Sequence, residues 1–345
     1  MASPTPAPLK TSTASAPDAP VVSVLMTVFN RAATLSVAIE SVLAQTFDAF
    51  ELVIVDDGST DSGAAIAQGY TADPRVRFHR NSENLGDYPN RNRAASLARG
   101  RYLKFCDSDD LLYPHCLGAC VAAMEAAPQA GLALMHRGRN NWHYPMLLTP
   151  EMAFRQHFLG TERLLQTNST ESCIRASAFL DAGGFLEIRH YGDSDLWFRL
   201  AARHPLVLLG PGLVHCRRHG GSETGVRQGK PEVFTGHRDR ALAHLAHAEC
   251  PLRGAERTRA IALFRVAYLR RQWSWWRSGR KPWSFFRRAI AGMQVRPGDL
   301  IALRNNWPDP AIPATLDLGA SGPPPWNPGA RSVERRLPEP PNRHD

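Results

Sequence analysis

Residues 102–110 read YLKFCDSDD. The first four have the pattern of a short buried strand, which runs straight into three carboxylates, Asp107, Asp109 and Asp110. Parallel α/β sheets place their chemistry at the carboxyl ends of strands. An Asp-x-Asp at such an end can gather two carboxylates onto one small patch. Carboxylates that close repel one another unless a positive charge sits among them. The usual solution is a hard divalent cation with oxygen ligands, Mg2+ or Mn2+, shared with substrate phosphates. A solvated acidic turn has the same composition, so the rest of the chain must decide between the two.

Working outward, residues 21–28, VVSVLMTV, form the continuous apolar run of a strand buried on both faces. Leu35, Ile39, Val42 and Leu43 then recur at helical spacing, which predicts a helix over 34–45 with one apolar face. Residues 52–55 are a second buried strand, ending in DDGSTD at 56–61: two carboxylates, a Gly turn and helix-capping residues. Helices are expected over 64–70, 91–99 and 114–126, and further strands over 76–79 and 132–135. Strand and helix alternating in this way imply an α/β fold built on a doubly wound, parallel sheet.

The chain has 345 residues, enough for one large domain or two modest ones, and 43% of them are hydrophobic. Its six cysteines are scattered without a paired CxxC zinc pattern and read as reduced core thiols of a cytoplasmic protein. Apolar runs stay well short of the roughly 20 residues of a membrane span. Residues 1–20 lack an apolar h-region and read as a disordered leader. The net charge of +9 is concentrated. Between Arg253 and Arg288 there are eleven Lys and Arg against one acid, Glu256, which leaves the remainder near neutral.

Four stretches taken together, VSVLMTVFNR, FELVIVDDGSTD, NSENLGDYPNRNRA and ARGRYLKFCDSDDLLYP, resemble the inverting family 2 glycosyltransferases in order, spacing and strand-end placement, over about residues 21–225. The resemblance implies a GT-A (Rossmann-like) fold: a mostly parallel sheet flanked by helices, with a C-terminal helical extension. It implies a nucleotide-sugar donor held at the ends of the first strands. Asp56 or Asp57 would accept from a uracil imide or a ribose diol. Thr27, where many relatives have Pro, would line the base pocket with Phe29 and Asn30. Asn84, Gly86, Arg91 and Asn92 fall where the family closes over the nucleotide, with Gly86 letting backbone approach the ligand. Asp107 would meet the ribose or a metal-bound water. Asp109 would hold the Mg2+ or Mn2+ that neutralises the departing diphosphate.

In the second half, SCIRASAFLDAGG at 172–184 resembles the family's strand and helix ending in a Gly pair. HYGDSDLWFRL at 190–200 resembles the segment that carries the general base, and aligning its Asp-Leu-Trp puts the base at Asp193. Gly192 stands where relatives have Glu, so this site has one carboxylate fewer. Asp195 is the runner-up, and either acid could instead cap the helix over 196–202. CRRHGGS at 216–222 resembles a late loop whose His can join the metal, which points to His219 with His215 as competitor; Arg217 and Arg218 could pair with phosphate oxygens. Residues 136–170 lie where acceptor recognition is expected.

Beyond about residue 230 the resemblance fades. Helices are predicted over 234–248 and 257–276. Trp273, Trp275, Trp276 and Trp283 then interleave with Arg277, Arg280 and Lys281. Such segments suit an anionic membrane surface, where a lipid-linked acceptor would be found, with the protein peripheral to it. The alternative is helices packed on the catalytic domain with solvated arginines. Nucleic acid is not an expected partner, since no binding motif accompanies the basic residues. The expected organisation is a leader over 1–20, a glycosyltransferase domain over 21–229, a basic aromatic helical extension over 230–306 and a Pro-rich disordered tail over 307–345.

The sequence therefore points to a metal-dependent inverting transfer from a nucleotide-sugar, UDP-linked for preference, to a hydroxyl of a glycan or glycolipid acceptor. A role in cell-surface polysaccharide synthesis follows by analogy alone. Two other classes compete. A nucleotidyltransferase would normally carry a Gly-rich phosphate loop after the first strand, and residues 27–31 are not Gly-rich. A non-catalytic nucleotide- or glycan-binding relative is favoured by Gly192 and opposed by Asp107, Asp109 and Asp193.

Overall fold

A computed structural model describes residues 19–136, 142–160, 162–188, 190–217, 231–291 and 293. Nearly all of the expected leader, the Pro-rich tail, Arg218 and His219 lie outside the described residues.

The first strand, β1 (Val22–Val28), is followed by α1 (Ala32–Leu43), β2 (Phe50–Asp56), α2 (Gly63–Gly69), β3 (Val76–Arg80), α3 (Asp87–Ser96) and β4 (Tyr102–Phe105). These strands pair in parallel in the order β3-β2-β1-β4. After a two-residue strand, β5 (Leu111–Leu112), come α4 (Cys116–Ala126), β6 (Leu132–Met135), β7 (Met146–Leu148) and α5 (Pro150–Leu159). Next are β8 (Ser172–Arg175), α6 (Ala176–Asp181), α7 (Gly192–Arg203), β9 (Leu206–Leu209) and β10 (Val214–His215). Three helices follow, α8 (Pro231–Ala246), α9 (Gly254–Arg277) and α10 (Trp283–Ile290).

The full sheet runs β3-β2-β1-β4-β8-β6-β9-β7. It departs from an all-parallel sheet in one place that matters. β8 lies antiparallel between β4 and β6, so the strand over 132–135 does not touch the strand that carries the acids. β7 closes the far edge, antiparallel to β9.

Alternate residues of each strand feed opposite faces. Val24, Met26, Leu52 and Ile54 pack with Leu35, Ile39 and Val42 of α1 and Cys120 of α4. Leu25, Val53, Val55, Leu103 and Phe105 pack on the other side with Trp197 and Phe198 of α7 and Phe154 and Phe158 of α5. A strand covered on both faces must be apolar throughout, which is why β1 and β2 read as unbroken runs. Each fully buried Val or Leu contributes roughly 1.5–3 kcal/mol. Ala241 and Leu245 of α8 and Ala260 and Phe264 of α9 belong to this second layer. The C-terminal helices are thus packed into the same core as α5 and α7.

The two ends of the sheet carry different chemistry. At the amino end, the buried Glu51 accepts from Ser23 Oγ at 2.6 Å, Arg77 Nη1 at 2.9 Å and the backbone and side chain of Arg99 at 2.8 and 2.9 Å. This network joins β1, β2, β3 and the turn before β4. The other acidic clusters lie at the carboxyl end.

Candidate active site

β1, β2 and β4 end side by side, and their last residues deliver Thr27, Phe29, Asn30, Asp56, Asp57 and Asp107 to one edge. Thr27 is half-buried beside Val55, and Phe29 is 46% exposed. Asn30 takes a left-handed conformation, φ 53°, and its Oδ1 accepts from the Thr60 backbone at 2.9 Å. Its own N–H donates to Ser59 Oγ at 3.0 Å, so it locks the loop after β1 to the loop after β2.

Asp56 and Asp57 are both buried but differently employed. Asp57 Oδ1 accepts from Asn81 Nδ2 at 2.8 Å and the Leu85 N–H at 2.9 Å, and its Oδ2 from the Gly86 N–H at 2.9 Å. Asn84 Nδ2 donates to the Asp57 carbonyl at 3.0 Å. Asp57 and Asn84 therefore hold the loop over 84–86 in shape. Asp56 Oδ2 accepts from the Ser59 N–H at 3.1 Å and faces Arg80 Nε at 3.2 Å, while Oδ1 is buried with no partner among the described residues. A buried acceptor in that state is costly unless a ligand donates to it. Gly86 adopts φ 91° and ψ 170°, and a Cβ built on it meets nothing within 4 Å. The backbone conformation alone calls for a glycine here.

Arg91, on α3, is buried and pairs with Asp107 Oδ1 at 2.8 Å and Asp87 Oδ1 at 2.8 Å. Burial opposes its charge, but Asp107, Asp87 and Asp193 around it hold the guanidinium well above its ordinary pKa. It links the acids of β4 to α7. Asn92 turns elsewhere: its Nδ2 donates to the Phe185 carbonyl at 2.8 Å and its Oδ1 accepts from the Phe185 N–H at 2.9 Å. It fastens α3 to the loop after α6.

Carboxylate oxygens of Asp107, Asp109 and Asp110 lie within 4.8 Å of one another. Asp109 lies 3.9 Å from Arg31 Nε. Burial, and then the neighbouring Asp107 charge, push the Asp110 carboxyl up to about 6. The three side chains offer oxygen donors alone. That donor set fits Mg2+ or Mn2+. Two further residues shape it. The buried Lys104 donates to the Thr170 carbonyl, and Thr170 Oγ1 accepts from the Asp107 N–H at 3.0 Å. β5 and β10 pair antiparallel, which brings the Arg217 N–H to Asp110 Oδ1 at 3.0 Å. His215 is exposed on β10, and His219 lies outside the described residues.

α7 resolves its two acids. Asp195 is 1% exposed and receives Arg199 Nε at 2.8 Å and His244 Nε2 at 3.0 Å, with Arg240 at 3.5 Å. Burial works against its ionised form, but His244 and Arg199 hold its pKa below the ordinary value. Its oxygens are spent on joining α7 to α8. Asp193 is half-buried and lines a cavity of about 890 Å3 between α7 and the C-terminal helices. Gly192 is packed under Tyr88, whose hydroxyl accepts from the Gly192 N–H at 3.0 Å. A Cβ there would come within 2.7 Å of the ring. Tyr88 thus occupies the space a larger residue would need. Tyr88, Arg80, Thr170 and Lys104 escape sequence reasoning because each acts through a contact distant in the chain.

A model of the family described as Glycosyl transferase family 2 matches residues 23–180. The Mycobacterium tuberculosis protein MT1568, whose name assigns it no function, is 31% identical over 221 residues, 59% of this chain and 68% of that one. EpsE of Bacillus subtilis, which bears a glycosyltransferase name, is 31% identical over 198 residues, 52% of this chain and 66% of its own length. The chain therefore spans about two thirds of these two relatives. Among solved structures, S. aureus TarS 1-349 in complex with UDP-GlcNAc aligns with a TM-score of 0.61 at 20% identity over 78% of both chains. The mannosyltransferase PcManGT from Pyrobaculum calidifontis, in complex with GDP-Man and Mn2+, aligns with a TM-score of 0.52 at 17% identity, covering 85% of this chain and 83% of the other. At such identities the likeness is one of fold. The family pattern runs through the strand ends that assemble the acidic edge, and with a relative matched over two thirds of its length, this chain belongs to glycosyl transferase family 2.

Proposed function

We propose that this glycosyltransferase moves a sugar, with inversion, from a nucleotide-sugar, first of all a UDP-sugar, to a hydroxyl of a glycan or glycolipid. The observation that carries the reading is the gathering of three carboxylates within 4.8 Å at the end of β4, beside the Arg91–Asp107 pair. The UDP-GlcNAc and GDP-Man of the two solved neighbours support a nucleoside diphosphate in this place.

Asp56 offers its unpartnered Oδ1 to an N–H or O–H of the nucleoside, and exposed Phe29 offers a ring face beside Thr27. Asp57, Asn30, Asn84 and Gly86 position the two loops that border the nucleotide. Asp109 would hold Mg2+ or Mn2+ with Asp107 beside it, and His219 remains the candidate imidazole ligand. When bound, the metal supplies neutralising charge for the departing diphosphate. Asp193 takes the proton from the acceptor hydroxyl as that oxygen attacks the anomeric carbon from the face opposite the diphosphate. The enclosure of Asp195 by Arg199, Arg240 and His244 favours Asp193 over it in that role. The domain over 21–229 carries donor chemistry, and the helices after residue 230 wall the acceptor side. The aromatic cluster of Trp273, Trp276, Trp283 and Phe286, with Arg277 and Arg287 near it, supports contact with an anionic membrane surface where a lipid-linked acceptor would sit.

Calorimetric titration with UDP, with and without Mn2+, beside Asp109→Ala tests the donor site. Metal-dependent binding that the variant loses is expected. Absence of binding by UDP, GDP and dTDP alike would overturn the reading.

A further inference from the structure

The cavity that Asp193 borders has a charge pattern that the donor chemistry does not use. Among the described residues Asp193 is the one carboxylate on its wall, against Arg163, Arg238, Arg271, Arg280 and Lys281. Arg238 is already committed: it is buried, with Nε at 2.7 Å from Asp239 and Nη1 at 3.0 Å from the Ala289 carbonyl. Arg163 and Arg271 are not. Arg163 Nη1 donates to the His157 carbonyl at 2.6 Å, and its guanidinium lies 5.7 Å from the centre of the Phe264 ring. Arg271 lies 4.6 Å from the Trp275 ring centre and 5.8 Å from that of Phe234. Among the described residues neither meets a carboxylate. Burial, and then the charge of Arg271, push the Arg163 guanidinium below its ordinary pKa. Arg163 is half-buried and Arg271 exposed, so water screens part of their mutual repulsion; a bound anion between them would relieve the rest. Guanidinium is also the group that best matches a phosphate or carboxylate through paired donors.

Resting on the assignment of Asp193 as base, we infer that the acceptor bears a phosphate or carboxylate, which Arg163 and Arg271 bind while the reacting hydroxyl reaches Asp193. Tyr268 and Trp275 line the same cavity, with Arg238 and Arg271 against their rings. The cavity thereby selects a charged glycan over a neutral one.

The test titrates the full chain with three probes of similar size: glucose 6-phosphate, glucuronic acid and glucose. At least one anion is expected to bind about tenfold or more tighter than glucose, the scale of one charge-assisted hydrogen bond. Preference for the phosphate or for the carboxylate identifies which group the acceptor carries. Arg271→Gln, on the accessible side of the cavity, should remove the preference and Arg271→Lys should restore part of it; Arg163→Gln should act in the same direction. UDP affinity should stay unchanged in all three variants. Equal binding of glucose and both anions overturns the inference, as does a preference that survives Arg271→Gln. Loss of UDP affinity in that variant also overturns it, by assigning the pair to the donor diphosphate. If wild-type protein binds no nucleotide, the donor reading fails, whatever the sugars do.

Discussion

Asp193 and Asp195 sit two positions apart in the first turn of α7 and have opposite fates. Asp195 is enclosed by Arg199, Arg240 and His244. Replacing it with Asn leaves Arg199 and Arg240 facing a neutral group, and breaking a buried pair of this kind costs about 3–5 kcal/mol. Asp195→Asn should therefore lower the urea midpoint strongly. Asp193→Asn should leave the unfolding free energy within about 1 kcal/mol of wild type and reduce transfer by roughly 10²–10⁴, the range of a lost general base. Steady-state transfer and UDP titration on the same preparation separate the two effects. A retained rate in Asp193→Asn would remove the base assignment. From sequence the two acids differ only in alignment, because partners such as His244 lie 49 residues away. The same holds for Asp56 and Asp57. Their position at a strand end is legible in a buried run followed by Asp-Asp-Gly, but which carboxylate keeps an open oxygen depends on Asn81, Leu85 and Gly86 folding back over it.

At the scale of elements, the loop over 84–86 and the start of α3 form one unit. Gly86 caps the helix in a region of backbone space that is nearly closed to other residues, at a cost of order 1–3 kcal/mol for a side chain. Gly86→Ala should weaken UDP binding and lower the melting temperature together, since the Gly86 N–H is one of the bonds that orients Asp57. Equal UDP affinity in that variant would mean the loop does not border the nucleotide. The strands β1 to β4 were readable because runs buried on both faces have no other explanation. The placement of β8 was not. Four residues, Ser172–Arg175, carry no mark of direction, and their antiparallel insertion is settled by the short path from the turn over 169–171. Arg163 and Arg271 are likewise invisible as a pair, being on elements that meet only after folding.

For the whole molecule, acid stability has two sources. His157 is fully buried, its Nδ1 accepts from the Leu165 N–H at 3.0 Å, and burial pushes its pKa well below 6.5. The unfolded chain binds a proton below about 6.5 that the folded chain refuses, so stability falls with pH from there by up to about 1.4 kcal/mol per unit. Glu51 and Asp195 have depressed pKa values, so their contributions hold above the ordinary carboxylate range and are lost at still lower pH. Urea unfolding of wild type and His157→Gln at pH 7.5 and 5.5 should show the wild type losing more stability over that interval. Among the described residues no helix is long and apolar enough to cross a membrane. The half-exposed Trp273 and Trp283 predict a weaker mode of contact: co-sedimentation with phosphatidylglycerol vesicles and not with phosphatidylcholine, diminished by salt and by Trp283→Ala.

The cavity has one wall from α7 and another from helices that begin at residue 231, whereas the family pattern ends at residue 180. Both walls therefore lie beyond the matched residues, while the strand ends that carry Asp56, Asp57 and Asp107 lie within them. In evolutionary terms the two halves of the proposed site can diverge separately: substitutions at the cavity-facing positions of α8 and α9, with Ala241, Leu245, Ala260 and Phe264 kept for the shared core, should change which hydroxyl is chosen and leave the nucleotide unchanged.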